Sequence, residues 1–146
     1  MEEAGIPADS VEWINLDLSS LNSVRNFAKV VTDRNIPISL LINNGICFLV
    51  IIQGKHLLKT NFVLIPTTAA VMFTPYGLTT DGLEQQFAVN YLGHFLLTHL
   101  LLPRLIEAGK HHRYASRIVN VASDASYLGY LELNDLNAKY NISKGR

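Results

Sequence analysis

A chain of 146 residues, 49% apolar and 16% charged, is long enough for one packed domain and too apolar for a disordered one. Twelve basic and twelve acidic residues cancel, so the charge gives no argument for nucleic acid or an anionic membrane surface as a partner. Cys47, the only cysteine, excludes an intrachain disulfide and a cysteine-rich metal site.

Met1 is followed by Glu2 and Glu3 with no apolar core behind them, which does not read as a secretory signal. The longest apolar run, Ile46 to Ile52, is far below the roughly 20 residues a bilayer span needs. The chain therefore reads as soluble, with nothing to fix its compartment. Val11 to Leu18 (VEWINLDL) alternates as a strand and hands over to Ser19-Ser20, a helix cap. Leu21, Val24, Phe27, Ala28 and Val31 then space out an amphipathic helix that ends near Asn35 and Pro37. Ile38 to Asn44 is short and apolar on both faces, as a central parallel strand would be, and Asn43, Asn44 and Gly45 end it. Two further apolar runs, ICFLVII and NFVLIP, flank Gln53-Gly54-Lys55 and could pair as a hairpin.

The longest element is a helix over Asp81 to Gly109. Asp81 and Glu84 have the spacing of a capping box, Leu83, Phe87, Tyr91 and Phe95 recur at helical period, and Gly109 is a stop. From Phe95 to Ile106 the helix is apolar nearly all round, which predicts that it is sandwiched between layers, with a bend at Pro103. Asn90 interrupts this apolar rod. Spacing leaves two readings open: an amide bonded to neighbouring backbone, or a helix locally opened at a functional site. Lys110 to Arg113 form a basic turn; His111 and His112 lack a third ligand at suitable spacing and read as solvated, so no metal is expected. Ser116 to Ala122 (SRIVNVA) is a second strand buried on both faces, and Tyr127 to Asn137 a loop.

N-x-x-G-H-F inside a long apolar helix, preceded by LLINNG and followed by SRIVNVAS, resembles the short-chain dehydrogenase/reductase family, in its retinol-dehydrogenase-like branch. The resemblance covers Val11 to Gly45 and Val71 to about Asn137. It implies an α/β fold: a Rossmann-type doubly wound parallel sheet in a three-layer αβα sandwich, here one partial domain incomplete at both ends. Residues 46–70 have no counterpart in the family pattern, which resumes at Val71 as though nothing intervened. Such a break reads as translated non-coding sequence or an error in the gene model, and its removal from a chain extended to full length is expected to leave the rest better packed.

The resemblance also implies an NAD(P)-dependent oxidoreductase that interconverts an alcohol and a carbonyl, on a lipophilic substrate such as a retinoid. Ser123 stands where the family carries its catalytic serine, and Asn90 where it supports a proton relay. Asp17, Asn43, Asn44 and Gly45 match the cofactor-side positions, with Gly45 in place of the usual alanine. Tyr140 and Lys144 have the spacing of the catalytic Tyr-x-x-x-Lys. In this branch, however, a variable loop follows the Asp135-Leu136 pair, and counting through it puts the family's tyrosine beyond Arg146. The glycine-rich turn that holds the cofactor's pyrophosphate is missing, since the chain contains no Gly-x-Gly. The expectation is that this chain alone is inactive; the competing reading is a truncated, non-catalytic product that binds a partner. Expected partners are a small-molecule alcohol or carbonyl, a homodimer stays open, and relatives of this branch are often associated with the endoplasmic reticulum.

Overall fold

The computed structural model describes residues 11–12, 14–35, 37–44, 50–52, 62–66, 71, 74–111, 115–127 and 129–139. Gly45, Tyr140 and Lys144 lie outside the described residues. The chain opens with β1 (Val11–Glu12), shorter than the alternation through Leu18 implies, and continues into α1 (Leu21–Asp33). α1 starts where expected. Ser20 caps it by accepting from the Ser23 N–H, and Val24, Phe27, Ala28 and Val31 are its buried face.

Five strands form one sheet: β1, β2 (Leu40–Asn44), β3 (Val50–Ile52), β4 (Phe62–Pro66) and β5 (Arg117–Asn120). Their spatial order is β1-β3-β4-β2-β5. β2 is central, parallel to β4 on one side and to β5 on the other. β3 runs antiparallel to both β1 and β4, so it alone opposes the common direction. β3 and β4 both come from residues 46–70. The expected hairpin therefore exists, and it lies inside the sheet between β1 and β2. In this arrangement the pair supplies β2 with one of its two neighbours.

A helical rod follows: α2 (Gln85–Phe87), a π-helical turn over Ala88–Leu92, and α3 (Gly93–His111). Crossovers from β1 to β2 and from β2 to β5 travel the same way across the sheet. Right-handed connections then place α1 and the rod on one face. They meet there over a shared core of Val24, Phe27, Val31, Ile38, Leu41, Leu97, Leu101 and Leu105. Burying each such side chain contributes about 1.5–3 kcal/mol. Arg104 of α3 fastens the far end of α1: its Nη2 donates to the Thr32 carbonyl (3.1 Å), and its Nη1 pairs with Glu107 (2.7 Å). A cation at a helix C-terminus is favoured by the helix dipole.

The result is an α/β Rossmann-type sheet with one helical layer among the described residues. Two expectations need correction. The rod is not sandwiched, since Phe95 and Ile106 are more than half exposed while Leu97, Leu101 and Leu105 are buried. The turn Asp81–Glu84 is not a capping box either. Gly82 takes φ +73, which bends the chain so that Glu84 itself caps α2, accepting from Gln86 N–H (2.9 Å) and Phe87 N–H (2.7 Å). Asp81 instead reaches across to accept from the first amide of α1, Leu21 (2.8 Å). α3 runs on through Pro103 to His111.

Candidate active site

Ligands of open parallel sheets gather beyond the carboxyl ends of the strands. Three of the predicted residues belong to this edge, and they differ in what they do there. Asp17 is exposed after β1, and its carboxylate shapes the turn into α1, accepting at Oδ1 from the Ser19 N–H (2.9 Å) and hydroxyl (2.6 Å). Its own N–H donates to Ser23 Oγ (3.0 Å). Ser123 is exposed three residues past β5, at the head of a short 3-10 turn, Asp124–Tyr127. Asn44 ends β2 opposite Pro66 of β4.

Asn43 behaves differently. It is only 5% exposed, and its Nδ2 donates to Thr98 Oγ1 of α3 (3.0 Å) and to Asn120 Oδ1 of β5 (2.7 Å). In an apolar interior these bonds tie two strands and a helix together and satisfy the NH2 of the amide, whose loss would cost about 1–3 kcal/mol, while Oδ1 is buried without a partner among the described residues. Asn43 thus supports the sheet from within. Thr98 and Asn120 were not singled out from the sequence. The signal for Asn120 was present, as a polar residue in the middle of the apolar run IVNV.

Asn90 bonds to backbone, as the first of the two open readings has it, and does so from a locally opened helix. The rod changes from α to π geometry over Ala88–Leu92, so the helix is locally opened at this residue. Asn90 is exposed, not buried as the apolar surroundings suggest. Its side-chain amide holds the backbone of Val71 at two points, accepting from Val71 N–H (3.0 Å) and donating to Val71 C=O (3.0 Å). An extra residue in a helical turn costs hydrogen-bond geometry, and such turns occur frequently at functional sites.

Two further residues brace the same region. A Cβ on Gly93 would come within 2.7 Å of the Leu18 carbonyl oxygen and 3.0 Å of Leu18 Cβ. Only glycine lets the rod sit this close, so the Asp17-Leu18 turn is pressed directly against the residues that follow Asn90. Asn137 links the loop after β5 to the start of the rod: its Oδ1 accepts from Glu84 N–H (2.8 Å) and its Nδ2 donates to Gly82 C=O (3.1 Å). His94, beside Gly93, has its pKa lowered by burial, which favours the neutral ring. Among the described residues no three His, Cys, Asp or Glu side chains could hold a metal ion together. Likewise no helix among them is long and apolar enough to cross a membrane.

No family model matches the chain. Individual proteins do. It is 36% identical to a chloroplastic short-chain dehydrogenase, TIC 32 A, of Brassica napus, over 86% of this chain and 32% of that protein. Human polyprenol dehydrogenase is 36% identical over 89% of this chain and 32% of its own length. Mouse retinol dehydrogenase 13 is 39% identical over 84% of this chain and 28% of its own length. Among solved structures, an uncharacterized protein from Mycobacterium paratuberculosis superposes with a TM-score of 0.57 at 36% identity, over 86% of this chain and 33% of that one. The chain thus spans about a third of the length of the relatives it matches. With named dehydrogenases at this identity over most of its residues, and with the motifs around Asn43, Asn90 and Ser123 set on an α/β sheet, the chain belongs to the short-chain dehydrogenase/reductase family.

Proposed function

We propose that the chain is part of an oxidoreductase that interconverts an alcohol and a carbonyl on a lipophilic substrate, and that its 146 residues alone do not carry out the reaction. The observation that carries this reading is the opened helix at Asn90, with its two-point hold on Val71 beside the ligand edge. From that position Asn90 supports a water-linked proton relay. Ser123, past the end of β5, donates its hydroxyl to the substrate oxygen and stabilises the negative charge that develops there. Relatives named for retinol and polyprenol favour a long apolar alcohol, or its carbonyl, as the substrate class.

Dehydrogenases of the family generally use NAD(P). The residues present do not fit that dinucleotide as a whole. Asp17 is exposed where an adenine could meet it, but the strand beside β2 ends in Pro66 and the chain has no Gly-x-Gly to seat a pyrophosphate. This mismatch favours, as a second reading, a non-catalytic product that engages a partner. A homodimer through the rod is compatible with either reading. Tyr91, Phe95, Leu102 and Ile106 are all exposed, and no Asp, Glu, Lys or Arg occurs between Gln85 and Pro103. Sedimentation of the chain and of Phe95→Glu tests the homodimer: it requires a dimer that the variant turns into monomer, and a monomeric unmodified chain rules it out.

A chimera tests the catalytic assignment. Residues 74–139 replace the matching stretch of retinol dehydrogenase 13, and turnover is measured with that enzyme's own substrate. The chimera is expected to stay active, Ser123→Ala to lower kcat by roughly 10²–10³-fold, and Asn90→Ala to lower kcat more than cofactor affinity. A folded chimera in which Ser123→Ala leaves kcat unchanged removes the assignment.

A further inference from the structure

Dinucleotide-binding sheets of the doubly wound type have the strand order 3-2-1-4-5-6, and the glycine-rich turn that seats the pyrophosphate follows strand 1. In the present sheet the order is β1-β3-β4-β2-β5. The stretches VEWINLDL, LLINN and SRIVNV carry the family resemblance, and they contain β1, β2 and β5. Their spatial positions are those of strands 3, 4 and 5. That leaves β4 in the place of strand 1 and β3 in the place of strand 2, and both come from residues 46–70.

We propose that the hairpin of residues 46–70 stands in for the first two strands of the sheet, and that by occupying the edge of β2 it excludes a dinucleotide. The inference rests on sheet order and family membership, and exclusion of the dinucleotide by the intact chain favours the non-catalytic reading given above. The roles of Ser123 and Asn90 are tested separately, in a chimera that leaves residues 46–70 out. β4 runs parallel to β2, the direction strand 1 would take, and pairs with it along its whole length, from Leu40↔Phe62 to Asn44↔Pro66. With β5 on the other side, β2 has no unpaired edge left. A glycine-rich strand can therefore reach β2 only by displacing β4.

The segment after β4 cannot replace the missing turn. Only four residues, Thr67 to Ala70, separate Pro66 from Val71, and Val71 is already held by the Asn90 amide. Four residues make about one helical turn, too little for a helix whose N-terminus could meet a pyrophosphate. Among the described residues, β3 and β4 bring no crossover helix with them. Both described crossovers put their helices on the same face, and helices for the opposite face would come from crossovers running the other way, from strand 1 to 2 to 3. In their place stands the antiparallel pair of β3 and β4. It closes the sheet without restoring the nucleotide half.

The test uses the full chain with Cys47→Ser as background. Ile42→Cys with Leu64→Cys sets two thiols at opposed positions of β2 and β4, and a short bifunctional thiol reagent is applied under native conditions. The expected result is rapid intramolecular cross-linking, no saturable binding of NADH by fluorescence in the micromolar range, and a drop in melting temperature of about 10 °C or more for Leu64→Pro, which removes a donor inside a paired strand. Absence of the cross-link overturns the strand replacement, whether or not NADH binds. Cross-linked chain that still binds NADH at micromolar concentration overturns the exclusion. Neither result touches the chimera assay of Ser123, so failure here and failure of the catalytic assignment are distinguishable.

Discussion

β2 and β5 lie side by side, parallel and in register from Leu40↔Arg117 to Asn43↔Asn120, and both read as apolar strands. Their environments nevertheless differ sharply. Leu41 is fully buried, while Ile118 opposite it is 38% exposed and Val119 is 41% exposed. Composition does not separate the two strands; their neighbours do. β2 has a strand on each side and α3 above it, whereas among the described residues β5 has a strand on one side only. An apolar run is a capacity for burial, realised only where other elements arrive to cover it.

The largest expected effect tests this contrast directly. Leu41→Ala should destabilise by about 2–5 kcal/mol, the range for truncating a fully buried leucine. Ile118→Ala should cost about 1 kcal/mol or less, because part of the side chain is already in water. Urea unfolding at unchanged m value measures both. Equal losses would mean that β5 is buried in solution by something other than the described elements.

A second pair of substitutions asks how tightly the rod is seated on the ligand edge. Gly93→Ala drives a methyl against the Leu18 backbone oxygen, which cannot rotate away, and should cost about 1–3 kcal/mol. Gly109→Ala, near the end of the same helix, meets only ordinary contacts at 3.6 Å with Ser116 and should be neutral or stabilising by up to about 1 kcal/mol. Thermal melts of the two variants compare them. A tolerated Gly93→Ala would show that the Asp17-Leu18 turn is not pressed onto the rod, and would loosen the link between that turn and Asn90.

Much of this arrangement was legible in the sequence, and the failures share one cause. α1 was readable because its signals are local: Ser20 as cap and an apolar face at helical spacing. Asn90 was readable as an exception inside an apolar run, though not its exposure, since that depends on what covers the rod. The pairing of Asp81 with Leu21 could not be read, because it spans 60 residues and depends on the turn at Gly82. Asn43 was recognised from its motif, but its partners Thr98 and Asn120 come from elements 55 and 77 residues away. The place of the hairpin was the least legible feature. Periodicity can predict that two runs will pair with each other, but it does not say which free sheet edge the pair will join. Only the strand order reveals that β4 takes the side of β2 where a nucleotide-binding strand belongs.

The smallest expected effect concerns the covered side of the rod. His94 follows Gly93 at the closest approach of rod and turn, and burial lowers its pKa from the ordinary value near 6.5. In the unfolded chain the same imidazole titrates near its ordinary value. As pH falls, the unfolded state therefore takes up the proton first, and the folded state loses relative stability. Stability from this group is complete above about pH 6.5 and declines as pH falls toward and through the lowered folded-state value. His94→Gln removes the titration while retaining a polar side chain. The slope of unfolding free energy against pH should flatten in the variant below about pH 6.5, with little change above it. Urea titrations at a series of pH values provide the measurement. An unchanged slope would mean that the ring is as well solvated in the folded protein as in the unfolded one, and that the rod leaves its own surface, here as along Phe95 and Ile106, open to water.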